Sequence, residues 1–259
     1  MEITVLGSGS RGNATIVGYR GRYLMIDAGF CYRDLTKRMT ALNISAGDIG
    51  GIFITHEHAD HVRSLEIFTK RHKVPVYLNK STFDRLNRPL KDKIHREVRF
   101  FTTGSRIQLD NITLTSFPVS HDAADPVGYT LENASSKVGF VTDTGRVTRQ
   151  VVENLSGSHC IVIEANHDID MLWNGTYPEL IKQRIAGPYG HLSNRASGEL
   201  LRTVMSGKLK TVCLVHLSQE NNRPDVALDT VSGILGEDYD TLPAILVTGQ
   251  DSPSETVSV

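Results

Sequence analysis

Thr55-His56-Glu57-His58-Ala59-Asp60-His61 decides the reading of this 259-residue chain. His56, His58, Asp60 and His61 bring three imidazoles and a carboxylate into six residues. Residues two apart in extended backbone point the same way, so His56 and His58 can grip one ion together. Asp60 and His61 open the helix expected next, and the turn of the chain aims them at a neighbouring point. Imidazole nitrogen and carboxylate oxygen suit Zn²⁺, Mn²⁺ or Fe²⁺, and the lack of cysteine here argues against a structural zinc site. A closed structural site needs only four ligands, and the chain offers more than that.

The further ligands lie outward along the sequence. Ile52-Phe53-Ile54-Thr55 runs into His56, Phe117-Pro118-Val119-Ser120 into His121, and Gly139-Phe140-Val141-Thr142 into Asp143. Ile161-Val162-Ile163 runs into Glu164, and Cys213-Leu214-Val215 into His216. In layered α/β proteins, sites form at the carboxyl ends of strands, so these five tips are expected to converge. The assignment that follows places His56, His58 and His121 on one ion and Asp60, His61 and His216 on a second, bridged by Asp143. Two divalent ions about 3.5–4 Å apart lower the pKa of a shared water and clamp attacking and leaving oxygens, which makes hydrolysis the expected chemistry. Ligating histidines usually give their other N–H to an acceptor, and Asp27, ending Leu24-Met25-Ile26, can serve as one. A turn-capping role before Gly29 is its alternative. His167, three residues after Glu164, is a candidate neighbour of the ligands, whereas His72, His95 and His159 read as surface or loop residues.

Short β-branched runs alternate with helical patterns along the chain. Strands are expected over residues 2–6, 15–18, 23–27, 52–55, 74–78, 98–101, 112–118, 127–131, 138–142, 160–164, 212–216 and 244–247. Helices are expected over 32–42, 61–71, 81–88, 148–154, 178–185, 194–205 and 224–235. No linker, repeat or low-complexity block interrupts them, so residues 1–249 read as one α/β domain and 250–259 as a polar, frayed tail. Gly7-Ser8-Gly9-Ser10-Arg11-Gly12 spells a dinucleotide fingerprint, but that fingerprint needs a helix directly after it. Asn13-Ala14-Thr15-Ile16-Val17-Gly18 reads as a strand, so the segment is a hairpin loop, with its Ser, Asn13 and glycine amides as candidates to lie near the metals.

Composition is that of an ordinary globular chain: 39% hydrophobic, 22% charged, with a mean hydropathy of −0.20. A protein of this length can bury a core without disulfides. No apolar stretch approaches the roughly 20 residues needed to span a bilayer, and Met1-Glu2-Ile3-Thr4 enters a strand-like run without leader features. Cys160 and Cys213 sit in apolar runs and read as small core residues, which points to a reduced, cytoplasmic compartment. Net charge is −1, yet ten Lys and Arg lie between Lys70 and Arg99 against three acids. From Gln219 onward the balance reverses, with eight acids and only Arg223. The basic stretch is a solvated surface or a face for an anionic polymer.

The ordered ligands His56-x-His58-x-Asp60-His61, His121, Asp143 and His216 resemble those of the metallo-β-lactamase superfamily across essentially the whole chain. The resemblance implies an αββα four-layer sandwich of α/β (α+β) class in a single domain, with metals at one edge between the sheets. Glu164-Ala165-Asn166 and Gly190-His191-Leu192-Ser193 are similar to motifs of the superfamily's phosphodiesterases, such as tRNase Z. There the resemblance implies that His191 contacts the scissile phosphate and that Glu164 holds it as a proton donor. Leaving-group protonation is the step that two metals do not supply. Read without that resemblance, Glu164 is a strand-end carboxylate in an ion pair and His191 a helix-entry residue before the capping Ser193 and Asn194.

Only 22 steps separate His121 from Asp143, which leaves no room for a long protruding arm. The interval from Asp143 to His216 is too short for the inserted domain of RNase J and Artemis type nucleases. Leu6-Gly7-Ser8-Gly9-Ser10-Arg11-Gly12-Asn13, Thr142-Asp143-Thr144-Gly145 and His216-Leu217-Ser218-Gln219-Glu220-Asn221-Asn222 look instead like the compact YycJ/WalJ-type proteins. That resemblance implies 5′→3′ exonuclease action on DNA with two divalent ions (Zn, Mn or Fe), and a link to bacterial cell-wall signalling. Asp60, Glu164 and His191 would be catalytic, with Asn13, Asp27, His167 and Ser193 in supporting or substrate positions. DNA would engage the Lys70–Arg99 stretch. The alternative is a small-molecule acyl hydrolase, a lactonase or thioesterase, which needs only the metals.

Overall fold

β1 (Glu2–Gly7), β2 (Ala14–Tyr19) and β3 (Arg22–Ile26) form an antiparallel meander. Tyr19 pairs with Arg22 across the loop Arg20-Gly21, whose φ angles are 50° and 76°. A two-residue hairpin whose twist matches its strands needs positive φ at both central residues, and Gly21 takes it without a Cβ clash. The strand expected after Gly12 is present as β2, so Ser8 to Asn13 is a loop between strands and not a nucleotide-binding turn.

The computed structural model describes residues 1–236 and 242–259, which fall into two compact units. The first holds residues 1–103, 123–126 and 249–258. Beyond β3 it continues in parallel through β4 (Ile49–Phe53), β5 (Val76–Asn79) and β6 (Val98–Phe101). Its helices are α1 (Tyr32–Ala41), α2 (Ala59–Val62), α3 (Leu65–His72), α4 (Lys80–Arg85) and α5 (Arg88–Ile94). Leu35 and Met39, one turn apart on α1, bury against Leu6, Ile16, Met25 and Ile52 in one apolar cluster.

Three expectations are corrected in this unit. The helix over 61–71 is two helices, because the Ser64 amide and hydroxyl both bond the Ala28 carbonyl at 2.9 Å and break the turn. The helix over 81–88 is likewise divided. Asn79 caps α4 and Asn87 caps α5, each accepting an amide three residues on, and Pro89 fits the first turn of α5. The tail, expected to be frayed, adds a strand, β14 (Val257–Ser258), antiparallel to β1. Thr4 and Thr256 join hydroxyls at 2.8 Å, and the Val5 amide donates to Ser254 Oγ at 3.0 Å, so polar residues that read as solvent-loving satisfy a sheet edge.

The second unit holds residues 104–122, 127–248 and 259. β7 (Arg106–Leu109), β8 (Ile112–Pro118), β9 (Val127–Glu132) and β10 (Lys137–Val141) are antiparallel neighbours. β11 (Cys160–Glu164), β12 (Thr211–Val215) and β13 (Ala244–Val247) then follow in parallel. Helices α6 (Arg149–Leu155), α7 (Ile169–Asn174), α8 (Glu179–Ala186), α9 (Asn194–Val204) and α10 (Pro224–Gly236) connect them. β7 escapes a hydropathy reading because its Arg106 and Gln108 face solvent at the sheet edge. α7 is too short for a periodic signal and is marked only by its cap, Asp168, which accepts the Met171 amide. Cys160 and Cys213 are buried thiols, as read from sequence.

Each unit thus carries one mixed seven-stranded sheet with its own helices, the α/β class expected. Both sheets repeat one device. Asp27-Ala28-Gly29 follows β3 and Asp143-Thr144-Gly145 follows β10, at the step from antiparallel to parallel strands. Both aspartates are left-handed, with φ of 59° and 53°, as is His216 after β12 at 55°. Such backbone is uncommon outside glycine, and it turns each residue sharply out of its strand. No described helix is long and apolar enough to cross a membrane.

Candidate metal centre

In the first unit the cluster is built around Asp27. Its Oδ1 accepts the Thr55 amide at 2.9 Å, and its Oδ2 accepts the Thr55 hydroxyl at 2.9 Å and His61 Nδ1–H at 2.7 Å. With that hydroxyl committed to Asp27, Thr55 Oγ1 is left to accept from His56 Nδ1, 3.0 Å away. Both imidazoles are therefore held by Nδ1, the tautomer that presents Nε2 for coordination. The rings of His56 and His58 lie 4.5 Å apart between centroids, those of His56 and His61 4.1 Å. His61 Nε2 is 3.5 Å from Asp60 Oδ2 and 3.1 Å from Asn13 Nδ2. Asn13 is itself fixed, since its Oδ1 accepts the Ser8 hydroxyl at 2.8 Å and the Gly9 amide at 2.9 Å.

Gly29 lets this cluster close. A Cβ there would overlap the Asp60 carbonyl oxygen, which accepts the Asn13 amide at 2.8 Å. The Ala28 amide donates to the His61 carbonyl at 2.8 Å, so the main chain of α2 is also laced to the turn after β3.

In the second unit, strand tips bring together His121, Asp143, Glu164 and His216, and the loop before α9 adds His191. The nearest ligand atoms of His121, Asp143 and His191 lie within 4.8 Å of one another, and so do those of Glu164, His191 and His216. His216 Nδ1 is 3.5 Å from Asp143 Oδ1 and 3.6 Å from Glu164 Oε2. His121 Nε2 is 4.0 Å from Asp143 Oδ1, while its Nδ1 donates to the Gly190 carbonyl at 3.1 Å. Burial pushes the His121 imidazole below its ordinary pKa, with Asp143 opposing, which favours the neutral ring that a metal requires.

Glu164 is fully buried. Its Oε1 accepts the Thr144 amide at 2.7 Å and the Leu192 amide at 3.2 Å, and its Oε2 accepts His191 Nδ1–H at 3.0 Å. Burial raises its pKa, but His191, by charge and hydrogen bond, and then His216 outweigh that and hold the carboxyl below its usual range. The pair is a carboxylate and an imidazole whose other nitrogen, Nε2, faces away from Glu164.

The other candidates are placed less centrally. Ser193 caps α9, accepting the Ala196 amide at 3.2 Å. His167 is buried and bridges to Ser193, and its Nδ1 has no hydrogen-bond partner among the described residues. The basic stretch is partly neutralised: Lys93 meets Glu66 at 2.6 Å, Lys80 meets Asp84, and Arg71 lies over the Tyr32 ring. Sequence reading passed over Thr55 and Thr144 as site residues. Their signal was position, each a hydroxyl residue beside a ligand at a strand tip. It also passed over Asp122, whose Oδ1 is 3.3 Å from His121 Nε2.

The donor sets, imidazole nitrogens with their tautomers set by neighbours and buried carboxylate oxygens, fit divalent metal ions. Residues 22–217 match the model of the beta-lactamase superfamily domain. The chain is 34% identical over 238 residues to exodeoxyribonuclease YycJ of Bacillus anthracis, covering 92% of this chain and 90% of that one. It is 32% identical over 241 residues to exodeoxyribonuclease WalJ of Streptococcus pneumoniae, covering 91% and 88%. Among solved structures, the metallo-β-lactamase fold protein YhfI from Bacillus subtilis superposes with a TM-score of 0.74 at 13% identity over 99% of both chains, a likeness of fold.

Proposed function

Because the chain belongs to the metallo-β-lactamase superfamily, and within it to the YycJ/WalJ-type proteins, we propose that this metal-dependent hydrolase is a 5′→3′ exonuclease acting on DNA. The observation that carries the reading is the Glu164–His191 pair, with 3.0 Å between Oε2 and Nδ1. A carboxylate pinned by two main-chain amides keeps the imidazole in one orientation. His191 Nε2–H then serves as the proton donor to the oxygen that leaves the phosphate, general acid catalysis worth about 10²–10⁴-fold. A thioesterase, whose thiolate leaves without protonation, would gain little from such a donor.

His56, His58 and His121 are assigned to one ion, and Asp60, His61 and His216 to a second, with Asp143 common to both. The support is the order of these residues along the chain and the tautomers set by Asp27, Thr55 and Gly190. Divalent ions bound there would act as Lewis acids and lower the pKa of water. The supporting contacts fall to Asp27, which holds His61, and Asn13, which sits beside His61 Nε2. His167 lies among the Glu164 and His191 neighbours, and Ser193 fixes the helix that follows His191. Exposed basic residues between Lys70 and Arg99, Arg85 and Arg96 among them, are proposed to contact DNA phosphates, so binding should weaken steeply with salt.

The test is cleavage of end-labelled duplex DNA, single-stranded DNA and RNA, with and without a 5′-phosphate, under Mn²⁺, Zn²⁺ or Mg²⁺. Expected are metal-dependent release of nucleotides from DNA 5′ ends, its abolition in His58→Ala, and a loss of about 10²–10⁴-fold in His191→Ala. A metal-loaded protein that cuts no nucleic acid but rapidly hydrolyses a thioester or lactone, with His191→Ala unaffected, would overturn the proposal.

A further inference from the structure

Gly187-Pro188-Tyr189-Gly190 is clamped to the site by its main chain. Three successive carbonyls are taken by three successive residues: Ser120 Oγ donates to Pro188 O at 2.7 Å, the Asp122 amide to Tyr189 O at 3.1 Å, and His121 Nδ1 to Gly190 O at 3.1 Å. The Gly145 amide donates back to Ser120 O at 2.7 Å. A Cβ on Gly145 would come within 2.5 Å of Gly190 N and of the Pro188 carbonyl carbon, so the two loops pack backbone on backbone. The next residue, Arg146, is held through its carbonyl by the Thr144 hydroxyl at 3.0 Å.

On this rigid frame, Tyr189 is 57% exposed. The Arg146 guanidinium carbon stands 5.9 Å from the centre of its ring, a cation over an aromatic face. Single exposed apolar residues need no explanation. Tyr189 differs because its backbone is locked one residue from His121's acceptor and two from His191, while its ring stays in solvent beside a cation. An aromatic face next to a guanidinium is the chemistry that binds an unpaired nucleotide, stacking on the base and pairing with the phosphate.

We propose that Tyr189 and Arg146 form the subsite for the unpaired nucleotide at the cleaved end, Tyr189 stacking on its base and Arg146 holding a neighbouring phosphate. This rests on the DNA phosphodiesterase reading. It makes the enzyme tolerant of base identity but dependent on a base being present, since every base has a face to stack.

The test compares 5′-phosphorylated single-stranded oligodeoxynucleotides that differ only in whether the terminal nucleotide carries a base or is abasic. For wild type, kcat/KM on the intact strand should exceed that on the abasic strand by about 5- to 150-fold. In Tyr189→Ala that ratio should fall to about 1, and in Tyr189→Trp it should return. Fluorescence anisotropy with chelated protein should show the same pattern in Kd, independently of turnover. Arg146→Ala should weaken both substrates alike and reduce the salt slope of log Kd by about one. A ratio that is equal in wild type and Tyr189→Ala, while DNA is cleaved, would overturn the subsite alone. A loaded wild type that cleaves and binds no DNA would overturn the phosphodiesterase reading together with it.

Discussion

Asp27 and His61 form a buried pair, with Asp27 Oδ2 2.7 Å from His61 Nδ1 and both side chains almost wholly out of solvent. They lie 34 residues apart, and the aspartate also takes the amide and hydroxyl of Thr55. One carboxylate thereby sets the orientation of His61 directly and of His56 through Thr55.

Asp27→Ala should accordingly lower metal affinity by about 10–100-fold, the usual cost of losing the acceptor behind a ligating histidine. Competition titration against a chromophoric chelator measures this. Affinity equal to wild type would show that the imidazoles are oriented by packing and not by Asp27.

Metal binding should raise thermal stability in the same terms. Ions at about 100 times their dissociation constant add about 2.7 kcal/mol to the folded state, so titrating chelated protein should raise Tm. The shift should shrink in Asp27→Ala and in His58→Ala. A Tm that is insensitive to every divalent ion would contradict the ligand assignment.

Gly29→Ala tests whether close backbone approach builds the cluster. Its Cβ would overlap the Asp60 carbonyl and lie 2.7 Å from the Asn13 amide nitrogen, neither of which can yield as a side chain can. A loss of about 3 kcal/mol or more is expected from such overpacking. Gly233→Ala, on an exposed face of α10 with nothing within 4 Å among the described residues, should instead stabilise by roughly 0.5–1 kcal/mol. Urea denaturation of both variants decides it.

His167 sets a pH response. Burial pushes its imidazole down to about 4, with the charge of Glu164 opposing. The unfolded chain titrates near 6.5, so between about 6.5 and 4 it takes up a proton that the folded protein refuses. Stability from this group is complete above about 6.5 and is lost as pH falls to about 4, an amount on the order of 3 kcal/mol at about 1.4 kcal/mol per unit. His167→Gln should flatten the stability profile of chelated protein across that window. Parallel profiles for variant and wild type would remove His167 from the account.

The sequence by itself determined the elements whose signal is local. Period-two spacing put His56 and His58 on one side of an extended segment, and apolar runs ending in His121, Asp143, Glu164 and His216 marked strand tips, because a strand's alternation and its end are visible in a short window. The Gly-rich loop could be refused as a nucleotide site for the same reason, since the strand after it was legible. Only the tertiary structure decided which of these residues meet. Asp27 with His61 is a pairing between segments that no window of sequence contains, and Glu164 with His191, across 27 positions, was implied only by resemblance to a family and not by the residues between them. The same holds for the Ala28 carbonyl that breaks the helix at Ser64, and for the terminal strand that closes the edge of β1. Propensity speaks for each residue alone, whereas a hydrogen bond or a missing Cβ takes its meaning from the backbone that arrives opposite it. Thr55-His56-Glu57-His58-Ala59-Asp60-His61 supplied donors, and Asp27, Thr55 and Gly29 made them a site with fixed tautomers.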